Sequence, residues 1–200
     1  MSPRILFKYK TKRDFKKTSE PAAKVKKKPS KKHLFVIHKH QASHLHYDLR
    51  LEMQGVLKSW AVPKGPSLNP TEKRLAIQVE DHPFDYRSFE GIIPPGNYGA
   101  GTVMLWDQGL YALASSETKE AAFLKGWREG RLDLIFLGEK IKGAFSLVRI
   151  GDAGEKSHWL LIKKKDAFAS KKNVSLLDRS VDTGRSMKEI TLGHKSKRVL

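Results

Sequence analysis

The stretch that decides the fold is Leu45-His46-Tyr47-Asp48-Leu49-Arg50-Leu51-Glu52-Met53. Apolar and polar residues alternate along its whole length. Successive side chains of a β-strand point to opposite faces, so the alternation predicts a strand with one apolar and one polar face. The leucines and Tyr47 are predicted to pack into a core. His46, Asp48 and Arg50 share the opposite face, where each of them needs a polar partner or a wet pocket.

Other short apolar segments, separated by turn residues, flank this strand. Strands are predicted at residues 34–37, 45–53, 75–79, 102–106, 131–137, 143–150 and 159–163. One helix is predicted at residues 116–129, with Ser116 as its N-cap and Gly130 as its stop. Many short strands with a single flanking helix are typical of an all-β protein, either a barrel or a sandwich.

The net charge of +18 is confined to the two ends of the chain. Residues 1–32 carry a net charge of +11 and residues 163–200 a net charge of +7, whereas the middle of the chain is neutral. Lysine and arginine in such segments bind phosphate backbones without reading sequence. The distribution therefore favours a nucleic acid as partner over tails that only increase solubility.

Composition also predicts three regions. Residues 1–32 are predicted to be a basic and mostly disordered arm, of which residues 9–20 can dock on the core. Residues 33–165 are predicted to form the folded domain. Residues 166–200 are predicted to be a flexible basic tail or linker.

Several classes of protein are disfavoured by what the sequence lacks. Without cysteine, any metal site must use His, Asp or Glu ligands. No run of about 18 apolar residues is present, so a membrane-spanning helix is not expected. No apolar run follows the basic N-terminus, so a secretory signal is not expected either. The expected location is cytoplasmic, and a membrane is not an expected partner.

Histidine is concentrated just before and within the deciding strand. His40 precedes His46 by six positions, and His46, Asp48 and Arg50 then alternate along one face. Two imidazoles and a carboxylate suit Mn²⁺, Fe²⁺ or Zn²⁺ and leave coordination positions open. The planar guanidinium of Arg50 can donate two parallel hydrogen bonds to phosphate oxygens. The complete pattern favours a metal or phosphate site over a solvated strand face.

A second polar cluster follows the third predicted strand. It contains Glu80, His82 and Tyr86, and strand-end loops often carry functional groups on a rigid scaffold. His82 can donate a proton or a hydrogen bond to a phosphate, and Tyr86 can bind another oxygen. Taken alone, this cluster is more typical of an ordinary turn.

Several blocks of sequence, taken together and in order, resemble the 3′-phosphoesterase domain of bacterial DNA ligase D and its stand-alone bacterial and archaeal relatives. The resemblance covers roughly residues 9–165. Its blocks are Lys12-Arg13-Asp14-Phe15 with Glu20-Pro21, the run 35–52, Ser59-Trp60-Ala61-Val62-Pro63-Lys64-Gly65-Pro66, Val79-Glu80-Asp81-His82-Pro83 with Tyr86, Phe89-Glu90-Gly91-Ile92-Ile93-Pro94, and Gly96-Asn97-Tyr98-Gly99 with Val103-Met104-Leu105-Trp106-Asp107.

The resemblance implies a closed or nearly closed β-barrel with a grooved active site, in a monomeric prokaryotic enzyme of DNA end-joining repair associated with the nucleoid. It implies a Mn²⁺-favouring activity, with Co²⁺ or Zn²⁺ as other possible metals. The implied reactions are removal of a 3′-terminal ribonucleoside from a DNA primer strand and then removal of the remaining 3′-phosphate. The implied partners are primer–template 3′ ends, together with a ligase, a polymerase or an end-binding repair protein.

The resemblance also implies roles for individual residues. His40, His46 and Asp48 resemble the metal ligands of the family. The groups around the scissile phosphate are Arg50, His82 and Tyr86, and the supporting active-site residues are Lys64, Arg74 and Glu80. The N-terminal residues tied mainly to the ribonuclease step are Arg13, Asp14 and Glu20.

One position departs from the family pattern. His38 stands where the family has glutamine, and its imidazole can add a metal ligand, alter the metal preference or point away.

Two other functions fit parts of the same sequence. His46 and Asp48 with a distant histidine also form the ligand pattern of a 2-His-1-carboxylate iron oxygenase, in which Arg50 would hold a co-substrate carboxylate. The spacing to His40 and the basic ends of the chain count against it. The other alternative is a non-catalytic protein of DNA repair that binds nucleic acid through a degenerate site.

Overall fold

The computed structural model describes residues 5–26, 33–114, 119–154 and 156–196. Ten strands in this part of the chain form a single antiparallel sheet. In chain order they are β1 (Leu34–Gln41), β2 (Leu45–Met53), β3 (Val56–Val62), β4 (Lys73–Gln78), β5 (His82–Pro83), β6 (Gly91–Ile93), β7 (Gly101–Leu113), β8 (Arg131–Gly138), β9 (Lys142–Ala153) and β10 (Lys156–Lys163).

Eight of these strands close into a ring. The order is β1-β2-β3-β4-β10-β9-β8-β7, and β7 pairs back with β1. The short strands β5 and β6 extend the sheet beside β3 and β7. The prediction of a mainly β, barrel-like fold is confirmed. Closure of the ring leaves none of the eight strands with a free edge.

Side-chain alternation explains why the ring closes around a core. A buried cluster, to which all eight ring strands contribute, includes Tyr47, Leu49 and Leu51 of β2. The alternation in residues 45–53 predicted this burial. Leu45, also predicted to be in the core, is instead 42% exposed because it lies at the start of β2. The alternate residues of the same strands therefore face outward from the ring.

Strand β3 was not predicted, because the turn that precedes it lacks a strong signal. β2 and β3 are joined by Gln54 and Gly55, which have φ angles of 55° and 77°. Two residues with positive φ form the tight hairpin turn whose twist matches antiparallel strands. Gln54 is an unusual residue for the first of these positions, so the hairpin was not recognised in the sequence.

The helices differ from the single predicted one. The predicted central helix is present as α2, at Lys119–Glu129, and Ser116 lies outside the described residues. The described residues contain two further short helices, α1 at Phe7–Thr11 and α3 at Met187–Thr191. Each has only five residues, too few for a recognisable apolar period. None of the helices in the described residues combines the length and apolar character needed to cross a membrane.

The described part of the N-terminal region, residues 5–26, packs on the outer face of the barrel. Tyr9 is completely buried there and belongs to a second apolar cluster with Leu57 and Phe84. The Lys-rich residues 27–32 lie outside the described part of the chain. We call residues 5–26 the N-terminal arm.

The segment that follows the barrel contacts it at several points. The Val181 amide donates to the carbonyl of Leu105 at 3.0 Å, and Trp106 Nε1 donates to the carbonyl of Leu177 at 2.6 Å. Ile190 is buried in the main core. Residues 166–196, predicted to be a tail, thus include buried side chains and hydrogen bonds to β7.

Candidate metal and phosphate site

The candidate ligands come together where β1 and β2 pair. His40 lies directly opposite His46, and His38 lies directly opposite Asp48. These are the outward-facing residues of strands whose other face forms the core. The strand register therefore brings His40 beside His46 and Asp48, although six positions separate the two histidines in the sequence.

His40, His46 and Asp48 form a group that can hold a metal ion. One potential ligand atom from each lies within 4.8 Å of those of the other two. The Nδ1 atom of His40 and the Nε2 atom of His46 are each 3.6 Å from an oxygen of Asp48. Two imidazole nitrogens and a carboxylate oxygen suit a first-row divalent metal with open coordination positions.

Backbone carbonyls orient both imidazoles. Nε2 of His40 is 2.9 Å from the carbonyl oxygen of Gly99, and Nδ1 of His46 is 2.9 Å from that of His44. A carbonyl can only accept, so these nitrogens carry the ring protons. The nitrogen left to bind a metal is then the one beside Asp48, and metal-binding histidines are commonly oriented in this way by an acceptor on their other nitrogen.

Asp48 is a buried carboxylate that stays ionised. Burial alone would raise its pKa, but the charge of Arg50 and the two neighbouring imidazoles outweigh this effect and place its pKa far below the ordinary value. Arg50 Nη2 donates to Asp48 at 3.1 Å. Asp48 is therefore charged over the whole physiological pH range.

All three nitrogen atoms of the Arg50 guanidinium donate hydrogen bonds. Besides Asp48, it donates from Nη1 to the hydroxyl of Ser59 at 2.9 Å and from Nε to Nδ1 of His38 at 3.3 Å. Its side chain is 3% exposed and lies over the ring of Tyr86 at 4.8 Å. The charge is thereby fixed in position beside the candidate metal ligands.

The resemblance implies turnover of a DNA 3′-phosphate, and Arg50→Lys is expected to lower that turnover by on the order of 10²-fold, the effect of losing one oriented electrostatic group. A single ammonium cannot bind Asp48, Ser59 and His38 at once with the planar geometry that the guanidinium provides. The measurement is kcat/KM with Mn²⁺. Arg131→Lys is the control, because Arg131 makes an exposed ion pair with Asp133. Equal losses in the two variants would contradict this role.

His38 does not join the ligand group but lies behind it. It is completely buried, accepts from Arg50, and its ring meets that of Tyr86 edge-on at 5.7 Å. Burial, and secondarily the charge of Arg50, lowers its pKa from 6.5 to about 3. At neutral pH His38 is thus a neutral acceptor that holds Arg50, a role that glutamine can also fill through its side-chain oxygen.

The lowered pKa of His38 predicts a pH dependence of stability. The unfolded chain takes up a proton at His38 as the pH falls through 6.5, whereas the folded protein resists protonation until about pH 3. His38 therefore favours folding fully above pH 6.5, and this contribution is lost as the pH falls. In EDTA, His38→Gln is expected to reduce the pH slope of the unfolding free energy by about 1.4 kcal/mol per pH unit between these limits.

Urea denaturation at a series of pH values measures this slope. His44→Gln, at an exposed position on the neighbouring turn, controls for the removal of a histidine. If the parent and His38→Gln lose stability equally between pH 6 and pH 4, roughly the middle of the window, His38 does not resist protonation.

His82 lines the same cavity as the ligand group. Its Nδ1 is 2.9 Å from the carbonyl oxygen of Glu80, and its Nε2 is 3.3 Å from Nη2 of Arg13. Nδ1 therefore carries the ring proton and Nε2 accepts from the guanidinium. Burial, followed by the charges of Arg50 and Arg13, holds the pKa of His82 well below 6.5.

The N-terminal arm contributes Arg13 to the lining of this cavity. Arg13 donates to Glu20 at 2.9 Å and to Glu80 at 3.2 Å, and all three side chains are buried. The hydroxyl of Tyr86 donates to Glu20 at 3.0 Å. Burial, and then the charge of Glu20, raises the pKa of Tyr86 well above 10, so it keeps its proton.

Most of the predicted site residues line one cavity, which has a volume of about 360 Å³. Its lining includes His40, His46, Asp48, Arg50, His82, Tyr86, Glu80 and Arg13. Sequence reasoning assigned no site role to the other lining residues, among them Tyr98 and Gly99. Gly99 contributes a backbone carbonyl, which no residue type signals. Sequence reasoning also missed Ser59, which binds Arg50 from the adjacent strand.

Five predicted residues are not part of this lining. Two of them, His38 and Glu20, bind the lining residues Arg50 and Arg13. The other three are Lys64, Arg74 and Asp14. Lys64 is exposed on the turn after β3. Arg74 pairs with Glu72 and lines a separate small cavity. Asp14 is exposed and pairs with Lys17 at 3.6 Å. The roles of these three residues stay predictions.

The chain matches proteins of known family over most of its length. A family model described as the DNA ligase D 3′-phosphoesterase domain matches residues 38–149. The multifunctional non-homologous end joining protein LigD of Pseudomonas aeruginosa is 47% identical over 169 residues, or 84% of this chain and 19% of that protein. The protein of the same name from Mycolicibacterium smegmatis is 40% identical over 158 residues, or 79% and 20%. The chain thus spans about a fifth of these relatives.

Proposed function

Because the chain belongs to the DNA ligase D 3′-phosphoesterase family, we propose that it is a metal-dependent phosphoesterase that heals DNA 3′ ends in end-joining repair. It removes a 3′-terminal ribonucleoside from a primer strand and leaves a 3′-phosphate. It then removes that phosphate and leaves a 3′-hydroxyl. The proposed substrates are primer–template ends that carry a 3′-ribonucleotide or a 3′-phosphate.

The observation that carries this proposal is the pairing of a metal-binding group with a fixed guanidinium. The potential ligand atoms of His40, His46 and Asp48 lie within 4.8 Å of one another. Arg50 donates a hydrogen bond to Asp48. A phosphate held between a divalent metal and an arginine is neutralised from two sides. Mn²⁺ is the proposed metal, and Co²⁺ or Zn²⁺ would suit the same ligands.

In this proposal, residues of the chain bind the phosphate and transfer a proton to the leaving oxygen. A divalent metal held by His40, His46 and Asp48 would supply Lewis-acid stabilisation and an activated water. Arg50 orients the phosphate and balances the charge that develops on its oxygens. A bound phosphate dianion favours protonation of His82, which then donates a hydrogen bond or a proton toward the leaving oxygen.

The test uses two DNA substrates and a series of divalent metals. One primer–template ends in a 3′-ribonucleotide and the other in a 3′-phosphate. Metal-dependent conversion of both to a 3′-hydroxyl is expected. Tight DNA binding without turnover would instead favour a non-catalytic repair protein. Oxygen consumption that requires Fe²⁺ and 2-oxoglutarate would favour an iron oxygenase.

A further inference from the structure

Tyr98 is an exposed aromatic side chain in the wall of the cavity that contains the candidate metal ligands, and the proposed mechanism gives it no role. It lines this cavity and is 46% exposed. The other phenol of the lining, Tyr86, is 2% exposed and donates to Glu20. Tyr98 is therefore the phenol ring of the lining that a ligand can reach from solvent.

The position of the Tyr98 ring is fixed by contacts on both the side chain and the main chain. The Lys12 ammonium donates to the Tyr98 hydroxyl at 3.3 Å and lies 4.5 Å from the ring centroid. Lys12 itself is held by Glu80 at 3.0 Å. In the loop that carries Tyr98, the Asn97 side chain donates to the carbonyl of Pro94 at 3.1 Å. A ring that is already held in place loses little conformational freedom when it binds a ligand.

The ring lies close to groups that the proposed mechanism places around the phosphate. The guanidinium carbon of Arg13 is 5.6 Å from the Tyr98 centroid, and Arg13 Nη2 is 3.3 Å from Nε2 of His82. The next residue along the chain, Gly99, orients His40 through its carbonyl. A nucleoside joined to a phosphate that lies between the metal ligands and His82 can therefore reach the Tyr98 ring.

The two proposed substrates differ by one nucleoside. A primer that ends in a 3′-ribonucleotide carries a nucleoside beyond the scissile phosphate, whereas a primer that ends in a 3′-phosphate carries none. The last base of a strand has one face that no neighbouring base of its own strand covers, even when it pairs with the template. Aromatic side chains stack on such a face with little regard to the identity of the base.

We propose that Tyr98 stacks on the base of the 3′-terminal ribonucleoside, and that it therefore contributes more to removal of that nucleoside than to removal of a 3′-phosphate. This inference rests on the proposed function for the identity of the substrate. Turnover of the two substrates by the parent protein tests the proposed function. The ratio of the two rates in Tyr98 variants tests the stacking contact, so the two failures are distinguishable.

The test measures kcat/KM with Mn²⁺ for a primer–template that ends in a 3′-ribonucleotide and for one that ends in a 3′-phosphate. Tyr98→Ala is expected to lower the ratio of the first value to the second by about 10-fold, which lies within the effect of losing one stacked aromatic ring. Tyr98→Phe is expected to keep the parent ratio, because it retains the ring and loses only the hydroxyl that Lys12 binds.

Phe168→Ala is the matched control, since it removes an aromatic ring that is 48% exposed and lies outside the lining of this cavity. It is expected to keep the parent ratio, and circular dichroism verifies that each variant is folded. Equal ratios in Tyr98→Ala and Phe168→Ala would overturn the proposal. A fall in Tyr98→Phe as large as that in Tyr98→Ala would assign the effect to the hydroxyl and would overturn the stacking contact.

A substrate without the terminal base isolates the stacking contact. Its primer ends in a ribose that carries hydrogen in place of the base, so the scissile diester is retained. Tyr98→Ala is expected to lose about 10-fold on the complete end and much less on the abasic end, as in a double-mutant cycle. Fluorescence anisotropy in EDTA compares binding of the same two ends without turnover. Equal losses on the complete and abasic ends in these assays would contradict a contact between Tyr98 and the base.

Discussion

Asp48→Ala is expected to lower the rate of 3′-phosphate release from a DNA primer by on the order of 10³-fold, at the upper end of the effect of one oriented electrostatic group. The carboxylate is shared by the proposed metal site and by Arg50, so one substitution disturbs both. His46→Ala is expected to act in the same direction. Phosphate release with Mn²⁺ measures the rate, and calorimetric Mn²⁺ titration separately measures the loss of metal binding.

His44→Ala is the matched control for these two variants. His44 is exposed and contributes its backbone carbonyl, which the substitution retains, to the orientation of His46. We expect it to keep the parent rate and the parent Mn²⁺ affinity. If Asp48→Ala and His46→Ala also clear the 3′-phosphate at the parent rate, the assignment of the metal ligands is wrong.

Arg13→Met is expected to lower the free energy of unfolding by about 3 kcal/mol, because it removes the cation bound to the buried Glu20 and one of the two cations bound to Glu80, whose other partner is Lys12. Glu20 and Glu80 are 0% and 4% exposed, and Arg13 lies between them. Urea denaturation measures the change. Hydrogen exchange is expected to place the lost protection in the N-terminal arm, which Arg13 holds against the barrel.

An exposed ion pair on the same arm gives the control. Lys17 and Asp14 are 74% and 48% exposed, so Lys17→Met is expected to change stability by less than about 0.5 kcal/mol. Adding Glu20→Gln to Arg13→Met is expected to restore part of the loss, since an amide is less costly to bury than a carboxylate. A stability loss in Lys17→Met as large as that in Arg13→Met would refute the buried network as its cause.

Strict alternation made much of the fold predictable from sequence. The deciding strand separates Leu49 and Leu51 from His46, Asp48 and Arg50, and the structure places these two sets on opposite faces. The arm was harder to predict, because the few apolar residues that dock it, such as Tyr9, are separated by lysines. Local composition reports charge density, whereas docking depends on partners distant in the sequence.

The candidate site was predictable where chemistry resides in side chains. His40, His46 and Asp48 form a recognisable ligand set, and the structure brings them together. The interaction of Arg13 with Glu80 joins residues 67 positions apart and has no local signal. The same limitation applies to Ser59, which reaches Arg50 only because β3 pairs with β2.

The carbonyl groups that orient His40 and His46 have a consequence for protein engineering. A main-chain acceptor cannot be deleted by changing a side chain, so single substitutions at His44 leave this support in place. The Gly99 carbonyl belongs to a loop between β6 and β7, and Gly99 itself adopts a φ of 73° that disfavours other residues. Inserting or deleting one residue in that loop would shift the acceptor away from the ring. The length of this connecting loop, together with the glycine at position 99, is therefore expected to tune metal affinity at the proposed metal site.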